Sequence, residues 1–231
     1  MFDISPAEWT AILLSLRVAV VATLVATPFG IALAWLLARR EFWGKSILDA
    51  LVHLPLVLPP VVTGYLLLLT FGRRGLVGAW LADHLGIVFA FRWTGAALAC
   101  GVMSFPLLVR PIRLSIEAVD RRLEQAAATL GAAPWRVFLT VTLPLALPGV
   151  LAGMVLGFAK AIGEFGATIT FVSNIPGETQ TISSAIYSLI QTPDGDTAAL
   201  RLVLISIFIA MAALVASEWF ARRATQRLHG N

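Results

Sequence analysis

Long apolar stretches separated by short polar ones organise this chain. They run roughly from Ala11 to Ala38, Ile47 to Phe71, Thr94 to Val109, Leu145 to about Val172, and Ala198 to Phe220. An apolar run of about 20 residues is long enough to cross a bilayer as a helix. Lipid offers no partner for free backbone groups, so a crossing segment outside a closed barrel must be helical. The pattern therefore predicts an all-α, polytopic membrane bundle with about five transmembrane helices, folded as a single domain over residues 1–231. The stretch 178–192 is too short and polar to cross alone and leaves room for a sixth, short or re-entrant helix. Prolines punctuate the runs. Thr27-Pro28-Phe29-Gly30 predicts a kink in the first span. Pro55, Pro59 and Pro60 predict that the first half of the second span is bent or partly unwound. Such a break survives in a membrane only where protein or trapped water satisfies the freed groups, which places that span in the bundle interior. Pro106 and Pro111 fall near the predicted end of the third span. Residues 72–92, with Gly72, Gly75, Gly78 and Gly86 around Asp83 and His84, read as an outer-face loop carrying one short helix.

Composition agrees with that pattern. Of 231 residues, 58% are hydrophobic and 13% charged, with a mean hydropathy of +0.86; soluble domains carry about a quarter charged residues. The single cysteine, Cys100, lies inside an apolar run and reads as a small buried hydrophobe, which excludes an intrachain disulfide or a thiolate metal cluster. The first residues lack a basic region and a small-residue cleavage site, so the first apolar run is expected to be a retained helix. A pI near 10 can signal nucleic-acid binding. Here the basic residues cluster at helix ends, where the positive-inside bias puts them, so the expected partner is the bilayer and not nucleic acid. Eleven of the 17 Lys and Arg fall on one side: Arg39, Arg40 and Lys45; Arg110, Arg113, Arg121, Arg122 and Arg136; and Arg222, Arg223 and Arg227. That predicts an outer N-terminus and a cytoplasmic C-terminus, with Arg73-Arg74 on the outer side running against the bias.

Chemistry-bearing motifs are sparse. The chain has no G-x-x-x-x-G-K-[ST] phosphate loop, no H-E-x-x-H and no G-x-S-x-G. His53, His84 and His229 are scattered without metal-ligand spacing, so no catalytic, cofactor or metal site is expected. His53 reads as a polar packing contact before it reads as a proton relay. Lys160 and Glu164 are four apart, share a helix face and can pair. A charge at the bilayer centre costs roughly 2.5–3.5 kcal/mol, so the pair should face the bundle. One reading makes it a packing pair near the outer boundary. The sharper reading makes it a gate or pathway element, with Gly163 and Gly166 unwinding the helix so that backbone N–H groups face an anion while Glu164 tethers Lys160 or another cation. Arg73 and Arg74 can attract an oxyanion or an acidic protein patch, or simply be solvated.

The one patterned polar stretch is 118–144. Gln125 to Ala128 favour a helix with small side chains, Gly131 suits its left-handed termination, and Pro134 fits the first turn of a second helix. Trp135 offers a large apolar body with one N–H donor. The shape suits docking onto another protein; the plainer alternative is an amphipathic loop on the membrane surface.

This stretch resembles the EAA loop of ATP-binding-cassette (ABC) importer permeases, which reads E-A-A, three residues, G, nine residues, I, one residue, L-P. Here Gln125-Ala126-Ala127, Gly131, Val141 and Leu143-Pro144 hold those places over 20 residues, with Gln125 for Glu and Val141 for Ile. Glu124, one place early, offers the acidic group. Several segments are similar to molybdate permeases: 54–65 (Leu54-Pro55 through Gly64-Tyr65), Phe71-Gly72-Arg73-Arg74-Gly75, Ser104-Phe105-Pro106-Leu107, Gly163-Glu164-Phe165-Gly166-Ala167-Thr168 and 174–181. The sulfate and thiosulfate permeases share only some of them.

The resemblance implies a type I importer permease in the bacterial inner membrane, a transport subunit and not an enzyme. It implies docking of cytoplasmic ABC ATPase subunits, which carry the ATP and Mg, at Glu124, Gln125, Ala126, Ala127, Gly131, Pro134, Trp135 and Arg136. It implies a second copy of the chain around a shared path, and a periplasmic oxyanion-binding protein that delivers molybdate, with tungstate handled too. Candidate pathway or gate residues are Pro59, Pro60, Thr63, Ser104, Lys160 and Glu164. A sulfate-type permease is the near alternative. A secondary transporter or intramembrane enzyme is the distant one, since neither inverted halves nor a nucleophile–base spacing is present.

Overall fold

The computed structural model describes residues 4–229, with side-chain surroundings for residues 4–216. Arg222, Arg223 and Arg227, used above for orientation, lie outside the residues whose side chains are described. Among the described residues the chain is helical throughout, with no strand. The helices are α1 Pro6–Arg39, α2 Lys45–Val57, α3 Pro60–Phe71, α4 Leu76–Leu85, α5 Trp93–Ala118, α6 Arg121–Thr129, α7 Pro134–Val137, α8 Leu143–Ile162, α9 Gly166–Val172, α10 Ile182–Leu189 and α11 Asp196–His229. A π-helical turn, Phe138–Thr142, joins α7 to α8.

Helix directions follow from side-chain neighbours. Along α1, Arg17 lies over the Trp93 ring at 3.8 Å, Ala22 meets Gly101, Gly30 meets Leu108, and Arg39 donates to the Val119 carbonyl at 3.1 Å. Both sequences ascend together, so α1 and α5 are parallel. Along α8, Gly149 meets Pro111 and Ser115, Gly153 meets Leu108, and the Cys100 thiol reaches the Ala161 carbonyl. That helix is antiparallel to α5. Arg201 pairs with Glu8 at 3.0 Å at the start of α11, and Ile209 further along packs against the same cluster as Leu16, so α11 runs with α1. Since α1 ends at one face of the bundle and α5 begins at the other, α2 and α3 together make one return crossing. They are bent by 114° at their junction. Four unbroken apolar segments plus this bent pair give five crossings.

The 114° break has a chemical cause. Pro59 and Pro60 have no N–H, so the α2 ladder loses consecutive donors, and Pro60 opens α3 from its first position. α1 stays helical for 34 residues through Pro28. The predicted end of the third span needs correction. α5 continues through Pro106 and Pro111 to Ala118, nine residues beyond the predicted end at Val109. Both prolines lie where α5 packs against neighbouring helices. Water is not at hand there to compete for the freed carbonyls, and packing holds the helix. The fourth span is shifted toward the N-terminus: it starts at Pro134 and stops at Ile162, and α9 is a separate short helix. The 178–192 stretch holds α10, eight residues long, which is too short to cross.

Packing relies on small residues. On α8, Gly149, Gly153 and Gly157 recur every fourth position against α5; a Cβ at Gly153 would stand 2.5 Å from the Leu108 carbonyl oxygen. Close backbone approach of this kind substitutes for the hydrophobic drive that lipid does not supply. α3 meets α9 the same way, with Gly64 against Ala167 and Gly166 against the Pro60 ring. The opposite face of α3, bearing Val61, Val62, Tyr65, Leu66 and Leu69, is exposed.

Candidate functional site

The 118–144 stretch folds as a helical elbow at the same end of the bundle as Arg39, Arg40 and Lys45. Asp120 caps α6, accepting from the Arg122 N–H at 2.9 Å, and no residue of α6 is buried. Gly131 adopts φ +84°, where L-residues are strained, and turns the chain out of α6. Pro134 then opens α7. Next, Pro144 has no N–H for the Thr140 carbonyl, and its ring crowds that carbonyl. The backbone responds by widening into the π turn, in which the Leu143 N–H donates to Phe138. The L-P pair at the end of the sequence signature thus acts on the helix just before it.

Of the eight residues expected at a docking surface, Gln125, Ala126, Gly131, Pro134, Trp135 and Arg136 are exposed and Ala127 is half-buried. Glu124 is placed differently. It turns toward its own chain, where Oε1 accepts from Arg39 Nη2 at 2.9 Å, from Arg39 Nε at 3.2 Å and from the Thr142 hydroxyl at 2.6 Å. Sequence reasoning passed over Leu130, which is 89% exposed, and Leu123 and Leu139, which with Trp135 give this polar elbow an apolar surface. The signal was available: Leu123, Ala127 and Leu130 recur at helical spacing and form one apolar stripe on an otherwise polar helix.

The candidate pathway residues separate into two groups. Pro59, Pro60, Thr63 and Glu164 gather at the α3–α9 junction. The two prolines are exposed, and the Thr63 hydroxyl is buried without a hydrogen-bond partner. Glu164 sits in the break between α8 and α9, 1% exposed. It accepts from Lys160 Nζ at 2.7 Å through one oxygen and from the Ala167 N–H at 3.0 Å through the other. The helix does unwind between Gly163 and Gly166, but Glu164 itself takes up the freed Ala167 donor, so that N–H is not open to an anion. Lys160 is the more accessible partner, its side chain 30% exposed. Ser104 belongs elsewhere: it is buried in the α5–α8 contact and donates to its own helix at Gly101. His53 approaches the Asp49 carbonyl at 2.8 Å, and Asp49 also accepts from Arg113 at 2.9 Å, which makes His53 part of a polar packing contact between α2 and α5. The 174–181 segment forms a closed turn: the Thr179 hydroxyl accepts from the Ile175 N–H, and Asn174 donates to Ser188 at 2.7 Å. Among the described residues no cluster of His, Cys, Asp or Glu could hold a metal ion.

Comparison with known proteins agrees with this architecture. Residues 26–226 match the family described as the binding-protein-dependent transport system inner membrane component. The chain is similar to the molybdenum transport system permease protein ModB of Escherichia coli K12, 63% identical over 220 residues, which cover 95% of this chain and 96% of that one. It is 58% identical over 221 residues to the ModB protein of Haemophilus influenzae, covering 96% of each. In fold it is similar to a chain from the crystal structure of a bacterial ABC transporter involved in the import of alginate. The TM-score is 0.74 and the identity 18%, over 95% of this chain and 80% of that one. The chain belongs to the family of binding-protein-dependent inner membrane transport components, as a multi-pass permease subunit of the type I ABC importer kind.

Proposed function

We propose that this chain is the permease of an ATP-driven molybdate importer, that it works as a homodimer, and that tungstate, a dianion of the same shape, is carried too. The relatives named as molybdenum permeases, 63% and 58% identical over nearly the whole chain, support the substrate. The family's description as binding-protein-dependent supports delivery by a periplasmic oxyanion-binding protein. The observation that carries the mechanism is the elbow: Gln125, Ala126, Gly131, Pro134, Trp135 and Arg136 stand exposed on two short helices, with Leu130 and Trp135 as apolar anchors. ATPase subunits grip that surface. They hold ATP and Mg, and this chain supplies only the lever.

The N-terminus lies outside and the C-terminus in the cytoplasm. Basic residues at the elbow end, Arg39, Arg40, Lys45, Arg113, Arg121, Arg122 and Arg136, support that orientation. A second copy covers exposed apolar faces such as that of α3, and the path follows the two-fold axis between the copies. ATP binding draws the two elbows together and opens the cavity outward; hydrolysis returns it inward. Pro59, Pro60, Thr63 and the Lys160–Glu164 pair line or brace the moving junction, where α2–α3 and α8–α9 are both already broken. Few charges reach the interior, so the path binds weakly and selectivity resides mainly in the binding protein.

The test is reconstitution of the permease with its ATPase and binding protein in liposomes. Molybdate-dependent ATP hydrolysis with uptake is expected. Uptake that persists without nucleotide would refute the proposal, and equal competition by sulfate and tungstate would favour a sulfate-type permease.

A further inference from the structure

Four elements converge at Glu124. Arg39 ends α1, with its side chain 9% exposed. Its guanidinium donates twice to Glu124 Oε1 and once to the carbonyl of Val119, the residue between α5 and α6. Thr142, 1% exposed and the last residue of the π turn, donates to the same oxygen at 2.6 Å. One carboxylate oxygen on α6 therefore receives donors from α1 and from the entry to α8, while the α1 cation also holds the α5–α6 corner. Charge-assisted hydrogen bonds that are largely shielded from water are the strong kind. The contact is also shaped for its place. The π turn adds a residue per turn just where Thr142 must face α6. Had Glu124 stood one place later, it would have pointed about 100° further round α6, toward the exposed side where Gln125 lies.

We propose that Arg39, Glu124 and Thr142 form a latch that makes α6 move as one body with the inner ends of α1 and α8, so that these three are positioning residues for coupling and not ATPase contacts. The inference rests on the transport reading and deepens it. Docking alone gives the ATPase a handle. A handle joined to the bundle only through the α5–α6 and α6–α7 turns would swing when pulled. The latch adds the missing crosslinks: a displacement of α6 is carried into α1, which packs on α5 and lines the bundle from end to end, and into α8, which leads to the Lys160–Glu164 break. Energy transmitted through a discrete packed element of this sort has a defined consequence when the element is cut: hydrolysis proceeds and transport does not follow.

The experiment uses the full complex in proteoliposomes and reads molybdate imported per ATP hydrolysed for wild type, E124A and T142V. E124A removes all three bonds, and the ratio should fall by at least about fivefold, the lower end of coupling between linked sites. T142V keeps the shape and removes one donor, and should give a smaller fall in the same direction. ATPase co-purification should stay at the wild-type level in both. In parallel, spin labels at Glu41 and Thr129, in a Cys100→Ala background, report the distance between the α1 end and α6. It should be the same with and without nucleotide in wild type, and should change or broaden with nucleotide in E124A. An unchanged transport ratio together with an unchanged distance in E124A would overturn the latch. So would loss of ATPase binding by E124A with a wild-type ratio in the complexes that remain, since Glu124 would then be a docking residue. If the wild-type complex imported nothing, the transport reading would fail instead. The spin-label distance needs only bound nucleotide and would still decide the latch.

Discussion

Gly131 offers the cleanest separation of backbone geometry from contact. Its φ is +84°, and a Cβ built there meets no atom within 4 Å. A side chain at this position is therefore opposed by the left-handed backbone and not by any neighbour in the chain. For an ordinary L-residue that conformation costs about 1–2 kcal/mol, and a β-branched residue stands at the upper end. Asn tolerates it, because its short polar side chain bonds locally. With 1.4 kcal/mol per tenfold, Gly131→Val should weaken ATPase association by about 5- to 30-fold through strain in the elbow, and Gly131→Asn should stay close to wild type. The assay is titration of detergent-solubilised permease with fluorescent ATPase subunit, with size-exclusion chromatography checking that each variant is folded. If Asn and Val were equally damaging, the defect would be a steric clash with the ATPase, and the role given to the left-handed turn would be refuted. If neither weakened binding, the elbow would not be the docking surface.

Other outcomes follow from the interior. Gly64→Ala places a Cβ 2.5 Å from the Ala167 carbonyl oxygen and 2.9 Å from the Ala167 Cα; backbone cannot yield locally, so α3 and α9 should separate and the yield of monodisperse protein should collapse. Lys160→Met leaves the buried Glu164 with only the Ala167 N–H as donor. Breaking a buried pair costs about 3–5 kcal/mol, and the partial exposure of Lys160 puts this case at or below the low end. The thermal midpoint should drop, and Glu164→Gln in the same chain should restore part of it; no restoration would remove the pair from the stability account. Uptake of molybdate should be competed more strongly by tungstate than by sulfate, measured with labelled molybdate in reconstituted vesicles.

Much of this was legible in the sequence because lipid is an unforgiving solvent. Apolar run length alone gave five crossings, and the spacing of Gly131, Pro134 and Pro144 gave the helix–break–helix of the elbow. Proline was the less reliable guide. Pro59-Pro60 breaks a span because two consecutive donors vanish, whereas Pro28, Pro106 and Pro111 remove one donor each and the helix continues through them. The boundaries of the fourth span were missed because the helix begun at Pro134 continues through the π turn into α8, and because the chain breaks at Gly163 before α9. Glu124 illustrates the limit of motif reading. Its position in the signature suggests a partner in another protein, but the direction of its side chain depends on Arg39 and Thr142, 85 residues before it and 18 after.

Coupling to an ATPase requires the elbow to face the cytoplasm. Single cysteines introduced at Thr129 and Trp135, in a chain whose buried Cys100 is replaced by alanine, can be challenged with a membrane-impermeant maleimide in sealed vesicles of both orientations. Labelling is expected in inside-out vesicles only, and bound ATPase subunits should block it. Labelling in right-side-out vesicles would put the elbow in the periplasm, out of reach of any ATPase, and would contradict the mechanism at its base.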